Sequence, residues 1–359
     1  MHRLLVFLCI VSNLVHSQQE DYSVGIEIKG KAGFLLPHRP VMHHLLQGHS
    51  IAFEGSYVLQ TNGSKEWHQA FRFPRWGGTL FLSDFGNPEQ LGWASGAYLF
   101  GELPIFRSNK FALMAKMGGG VGYVSEKYDL ETNPKNNSIG SHINSLIVIG
   151  MNLNYQLNQS EISLGLDMTH LSNGATQLPN LGINVPYLSL GYTRYLNELK
   201  FDNEEKPVSK HIAELNQWQL NVMGILSSKQ IYPTGGRNYL VSALGIFGSR
   251  KFSRKAGLDV GLDIIYNESI KYRFEEEEFS DMEALQVGIF AGYFIPINRL
   301  RVLLGMGYYA KNNINPDGPV YHRLSTRYKL NEKWNIHFGI KSHWGRADYF
   351  EFGVFYRII

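Results

Sequence analysis

A histidine and a serine two residues apart, His170 and Ser172, followed by a loop of small and amide residues, make up the parts of an acyl-transfer site. On an extended strand the i, i+2 spacing stacks both side chains on one surface. An imidazole nitrogen can then take the proton of a hydroxyl, as nucleophilic attack by a serine requires. The connection that follows runs Asn173-Gly174-Ala175-Thr176-Gln177-Leu178-Pro179-Asn180-Leu181-Gly182-Ile183-Asn184. Two glycines, a proline and three asparagines suit a tight turn whose amide donors converge on one point, which is what an oxyanion hole needs. Asn184 shares strand parity with Pro186, Leu188, Leu190 and Tyr192. It is expected opposite His170 across the hairpin, where its amide oxygen can accept from the imidazole N–H.

The element that must position this pair is a strand. Ile162, Leu164, Leu166 and Met168 form one apolar face, and His170 and Ser172 continue it. The same period of two runs from Ser23 to Ile358. Its clearest instance places Phe350, Phe352, Val354, Tyr356 and Ile358 against Tyr349, Glu351, Gly353, Phe355 and Arg357. Short turns are expected at Arg107 to Lys110, Leu157 to Ser160, Ser253 to Lys255, Ile297 to Leu300 and Leu330 to Lys333. Longer polar loops fall at Leu35 to Gly48, Asp84 to Leu91, Ser125 to His142, Ser172 to Ile183, Ser227 to Arg237, Glu268 to Met282 and Asn312 to Gly318. Short and long connections therefore alternate, and aromatic residues gather near strand ends. The expected fold is all-β: an antiparallel transmembrane outer-membrane barrel of about sixteen strands, roughly twelve at the least. In such a barrel the apolar face meets lipid, where an unpaired polar group costs about 2 to 7 kcal/mol, so a histidine and a serine there call for a reason.

Composition removes other classes. Charged residues are 18% of the 359, the net charge is +3 without a basic block, and hydrophobic residues are 44%. A disordered chain and a nucleic-acid partner are both disfavoured. No uninterrupted apolar run is long enough for a helical span. Residues 1–17, with an apolar stretch from Leu4 to Val15 and Ser17 before Gln18, read as a signal peptide. Cys9 lies inside it, without the small neighbours of a lipidation site, so the mature chain is expected to have neither disulfide nor thiol nucleophile. No cofactor and no resident metal is expected.

The run His170-Leu171-Ser172-Asn173-Gly174, then Pro179-Asn180-Leu181-Gly182, resembles the active-site motif of the outer-membrane lipid A 3-O-deacylases of the PagL type. It is most similar to the longer branch labelled acyloxyacyl hydrolase in Bacteroidetes-like bacteria. Pro37-His38-Arg39-Pro40, Asp84-Phe85-Gly86-Asn87-Pro88 and Ile139-Gly140-Ser141 extend the likeness over Leu35 to Leu196. The resemblance implies His170 as base, Ser172 as nucleophile, and Asn180 with backbone amides near Gly174 and Ala175 as oxyanion stabilisers. It also implies substrate contacts at Asn173 and Gly182. The family's third catalytic member is a glutamate at the position of Asn184; asparagine stands there in this chain. The implied partner is lipopolysaccharide, through its lipid A, in the outer membrane of a Gram-negative bacterium. The stretch from Asn216 to Ile359 has no counterpart in the short members.

An internal echo accompanies this. Tyr155, Leu157, Asn158 and His170 recur at the spacing of Tyr328, Leu330, Asn331 and His343, as a duplicated barrel half would. Residues 18–196 form the half with the motif, 197–215 a linker and 216–359 the second half. Ser172 corresponds to Gly345, so only the first copy has the parts for chemistry. Whether the halves make one large barrel or two small ones is open at this stage. His38, His43, His44 and His49 share one loop, with metal binding or contact with lipopolysaccharide phosphate as alternatives. Glu275 to Glu278 reads as a solvated acidic loop or a cation bridge, and Gly118-Gly119-Gly120-Val121-Gly122 as close strand packing. Two functions remain: an interfacial esterase, or a non-enzymatic barrel serving as channel or scaffold. The lumen separates them, because a pore needs open polar walls.

Overall fold

Period-two patterning becomes sixteen antiparallel strands in the computed structural model, which describes residues 21–202, 215–273, 279–314 and 317–359. Residues 1–17, expected as a signal segment, most of the expected linker and Glu275 to Glu278 lie outside the described residues. The first eight strands are β1 (Tyr22–Phe34), β2 (His49–Thr61), β3 (Arg75–Asp84), β4 (Trp93–Arg107), β5 (Phe111–Val124), β6 (Ile143–Leu157), β7 (Ser160–Ser172) and β8 (Ile183–Tyr195). The second eight are β9 (Trp218–Lys229), β10 (Tyr239–Ser253), β11 (Ala256–Asn267), β12 (Leu285–Ile297), β13 (Leu300–Lys311), β14 (Val320–Lys329), β15 (Trp334–His343) and β16 (Arg346–Arg357). Every expected connection falls between two of these strands within a few residues of its predicted bounds. Three short helices decorate the connections among the described residues: 3-10 turns at Pro40–Leu45 and Glu268–Tyr272 and an α turn at Glu66–Ala70.

Pairing closes the strands into two barrels of eight. In the first, β8 returns to β1 from Gly25↔Tyr195 to Gly33↔Tyr187; in the second, β16 returns to β9 from Phe352↔Leu226 to Arg357↔Asn221. The halves of a large barrel are thus each a complete small one. By contacts, one unit holds β1–β8, and the other holds β9–β16 together with Asn173–Leu181, the connection between β7 and β8.

Each barrel sorts its side chains by parity. Outward positions are apolar and exposed, as at Ile28, Phe53, Leu80, Leu99 and Leu190 in the first and Leu226, Ile289, Leu304 and Phe352 in the second. Aromatic pairs such as Phe111 with Tyr155 and Trp334 with Tyr356 stand at strand ends. Inward positions are charged and buried. Lys31 bridges Glu54 and Asp167 at 2.9 and 2.8 Å, and Arg75 pairs with Glu102 at 2.6 Å and with Glu161. In the second barrel Arg323 holds Glu351 at 2.7 Å and Asp263 at 3.0 Å, while Arg327 pairs with Asp259. Eight strands leave an interior that side chains fill, and such pairs join opposite charges across it. Phe350 departs from its expected exposure: it is buried, because Gly174 lies against its ring.

The internal echo conceals a shift of phase. Six residues separate Tyr155 from its cross-strand partner Ile162, but seven separate Tyr328 from Ile336. The turn in the second copy is one residue longer, and an odd shift exchanges the faces of every residue beyond it. His170 therefore lies on the outward side of β7, whereas His343 is buried with His337 and Lys341 inside the second barrel. After β15 the chain turns at once through Trp344 and Gly345, both with positive φ (48° and 80°), where the first copy has a ten-residue loop.

Candidate active site

β7 and β8 run side by side to the long-loop end of the first barrel, and their register sets His170 opposite Asn184. There the Nδ1–H of His170 donates to Asn184 Oδ1 at 2.6 Å. The Nδ2 of the same amide donates to His38 Nδ1 at 2.9 Å. The loop carrying His38 is tied to the same residue through its backbone, with Leu36 N–H donating to the Asn184 carbonyl at 2.8 Å. His38 is exposed, but its ring is engaged with Asn184. His44 bonds elsewhere, to the Lys135 carbonyl, and no group of three metal-ligating side chains occurs among the described residues. Partial burial, helped by the charge of Arg39, lowers the His38 pKa from its ordinary value.

Ser172 differs from its expected lipid exposure. It is 2% exposed, and its Oγ has no hydrogen-bond partner among the described residues, His170 included. The alternation that keeps Leu164 and Leu166 outward fades toward the strand end: His170 is half-buried, and Leu171 and Ser172 are both buried. A buried hydroxyl without a partner is a group held out of water and left uncommitted.

The loop after Ser172 is organised by Asn173. Its N–H donates to Asn180 Oδ1 at 2.9 Å, its Nδ2 donates to the Gln177 carbonyl at 2.9 Å, and its carbonyl accepts from Thr176 Oγ1 at 2.9 Å. This buried side chain, expected to touch substrate, is engaged in holding the loop. Because the oxygen of Asn180 is bound to Asn173, the free face of its amide is the donor Nδ2. Gly174 and Ala175 both take φ of 62°, so successive N–H groups turn as a nest does. Gln230 fastens the loop, its N–H to the Ala175 carbonyl at 2.8 Å and its Oε1 accepting from Leu178 N–H at 2.9 Å. Gly182, also expected to touch substrate, has φ of 82° and lies against the imidazole: a Cβ there would sit 2.7 Å from His170 Cε1. Sequence reasoning missed the roles of His38, Gly182 and Gln230 in placing these groups. The prolines flanking His38, which stiffen the segment, were the one signal available.

The family described as "Lipid A 3-O-deacylase (PagL)" matches residues 51–193, and the one described as "Acyloxyacyl hydrolase, C-terminal domain" matches residues 216–359. No curated protein matches. Among solved structures, one mutant of the Rhodopseudomonas blastica porin aligns at 10% identity and a TM-score of 0.20, over 94% of this chain and 100% of that one. A second mutant aligns at 9% identity and a TM-score of 0.18 over the same shares. The first match contains the histidine, the serine and the loop, the second contains the whole second barrel, and together they take in most of the sequence. The chain belongs to the PagL lipid A 3-O-deacylase family, in the form that carries the acyloxyacyl hydrolase C-terminal domain.

Proposed function

We propose that this protein is a serine esterase that cleaves an ester-linked acyl chain from lipid A or a related glycolipid. Family membership carries the coarser part, an outer-membrane acyl hydrolase acting on lipid A. The observation that best supports the finer part is the 2.6 Å bond from His170 Nδ1 to Asn184 Oδ1. With its proton on Nδ1, a neutral imidazole keeps the Nε2 lone pair for a hydroxyl proton. Ser172 Oγ attacks the ester carbonyl carbon and its proton passes to His170 Nε2. Backbone amides at Gly174 and Ala175, with Asn180 Nδ2, receive the negative charge that forms on the carbonyl oxygen. Collapse breaks the bond to the sugar oxygen, which leaves with the proton from His170. Water, deprotonated by the same nitrogen, then releases the fatty acid and restores the serine. The bond between serine and base, absent in the free protein, is of a kind that tightens in the substrate complex.

Ser172→Ala and His170→Ala should each abolish release of fatty acid without unfolding the barrels, because nucleophile and base act as a unit. His343→Ala, inside the second barrel, should leave release intact. Mass spectrometry of lipid A from cells expressing each variant reads the outcome, with the gel shift between boiled and unboiled samples reporting folding. Fatty-acid release by a folded Ser172→Ala protein would overturn the serine mechanism.

A further inference from the structure

The amide of Asn184 is bonded at both ends, and its two ends are unlike. Half a turn about its last bond exchanges oxygen for nitrogen with almost no change of shape. In the observed orientation Oδ1 accepts from His170 Nδ1–H. In the other, Nδ2 would donate to Nδ1, the ring proton would move to Nε2, and the nitrogen meant to receive the serine proton would already carry one. Holding the wrong tautomer in this way costs a serine site on the order of 10⁴ in rate when an amide replaces the usual carboxylate. Asparagine alone does not choose between the two orientations. His38 does so as the tautomer with its proton on Nε2: its Nδ1 then accepts from Asn184 Nδ2 at 2.9 Å, and this leaves only Oδ1 for His170.

We propose that His38 is a positioning residue, which fixes the amide of Asn184 and through it the tautomer of His170. This rests on the reading of His170 as general base. The backbone bond from Leu36 to Asn184 brings the loop to the strand at the same point, so the contact is anchored from two sides. The lowered pKa of His38 keeps its ring uncharged at neutral pH, which acceptance at Nδ1 requires. His38 and Asn184 thus act together as an uncharged substitute for the glutamate that the resemblance places at this position. A carboxylate has two equivalent acceptors and no wrong orientation, so it would have no use for the second histidine.

The test uses the full chain in detergent or in outer membranes, with kcat and KM measured for acyl release from lipid A. His38→Ala should lower kcat by roughly tenfold, the scale of one net hydrogen bond, while KM stays within about twofold. His38→Asn, whose Oδ1 stands where Nδ1 stood, should recover most of the loss. Made on top of Asn184→Glu, the same His38→Ala change should cost less than about twofold, because the carboxylate has no orientation to lose. A full-rate His38→Ala protein would overturn the proposal, as would an equal loss in both backgrounds. Ser172→Ala, assayed alongside, separates the two ideas. If it stays active, the esterase reading fails; if it is dead while His38→Ala is fully active, only the role of His38 fails.

Discussion

On the proposed mechanism His170 becomes a cation when it takes the serine proton, and the group at Nδ1 must then stabilise a full charge. An amide oxygen orients the ring but offers only a partial negative charge, whereas a carboxylate does both. Wild-type turnover should therefore be slow, Asn184→Glu should match or exceed it, and Asn184→Ala should fall below it, by roughly tenfold for one lost hydrogen bond. Rates of fatty-acid release from purified lipid A decide this; an Asn184→Ala protein as fast as wild type would remove Asn184 from the site. Acidity gives a second reading. Because the pKa of His38 is lowered, its neutral form persists somewhat below the usual histidine range, and its contribution is lost as the pH falls through that lowered value. The charged and titratable groups around it are Arg39 on its own loop and His170 across Asn184. The acid limb of kcat/KM should thus be steeper in wild type than in His38→Asn, which keeps an acceptor that does not titrate. At this scale the facing of His170 and Asn184 was legible from strand parity. The arrival of His38, 146 residues away in sequence, was not, since no local period encodes which loop folds onto which strand end.

The connection from Asn173 to Gly182 is the element on which the proposed chemistry depends. Gly182→Ala would place a methyl 2.7 Å from the His170 ring in a backbone conformation that alanine avoids, and Gly174→Ala would place one 2.5 Å from the Phe350 ring. Both should lower the rate by a factor of ten or more while the gel shift of the folded barrels persists. Gly182→Ala acts on the base itself, so it should depress kcat more than it raises KM. A Gly182→Ala protein with wild-type kcat would show that the imidazole can move aside without consequence. Turn positions and strand limits were readable from the sequence because glycine, proline and polar runs punctuate it at the bounds the strands observe. The burial of Ser172 and Phe350 was not readable, because parity assigns a face and says nothing about what covers it. The equal spacing of His170 and His343 misled for a related reason: counting along the chain passes over the register at the turn between.

The molecule as a whole comprises two closed barrels, and their interiors weigh against a channel. In the first, Lys31 holds Glu54 and Asp167 while Arg75 holds Glu102 and Glu161; in the second, Arg323 holds Glu351 and Asp263 while Arg327 holds Asp259. Reconstituted into planar bilayers, the protein should show no stepwise conductance of the porin kind; steady open-channel currents would favour the non-enzymatic alternative. Removing one partner of such a buried pair leaves the other charged and unpaired. Asp259→Ala, which takes from Arg327 its ion-pair partner, should therefore destabilise the second barrel by about 3 to 5 kcal/mol, measured as a lower denaturant midpoint in detergent. Sixteen strands could be counted from the sequence, but one barrel or two could not. Alternation along a strand is the same in both, and the difference lies wholly in which distant strand β8 and β16 return to.

The extra residue in the turn before β15 also limits what descent with modification can do. Point substitutions act on the side chain at a position and leave its face unchanged. No sequence of them at His343 can carry that histidine from the interior of its barrel to the outward surface that His170 occupies. Only an insertion or deletion of one residue crosses that gap, and it would at once reverse every buried charge and every exposed apolar residue along the rest of the strand. On the proposed function, a second site of the same kind is thus far from this chain in mutational terms.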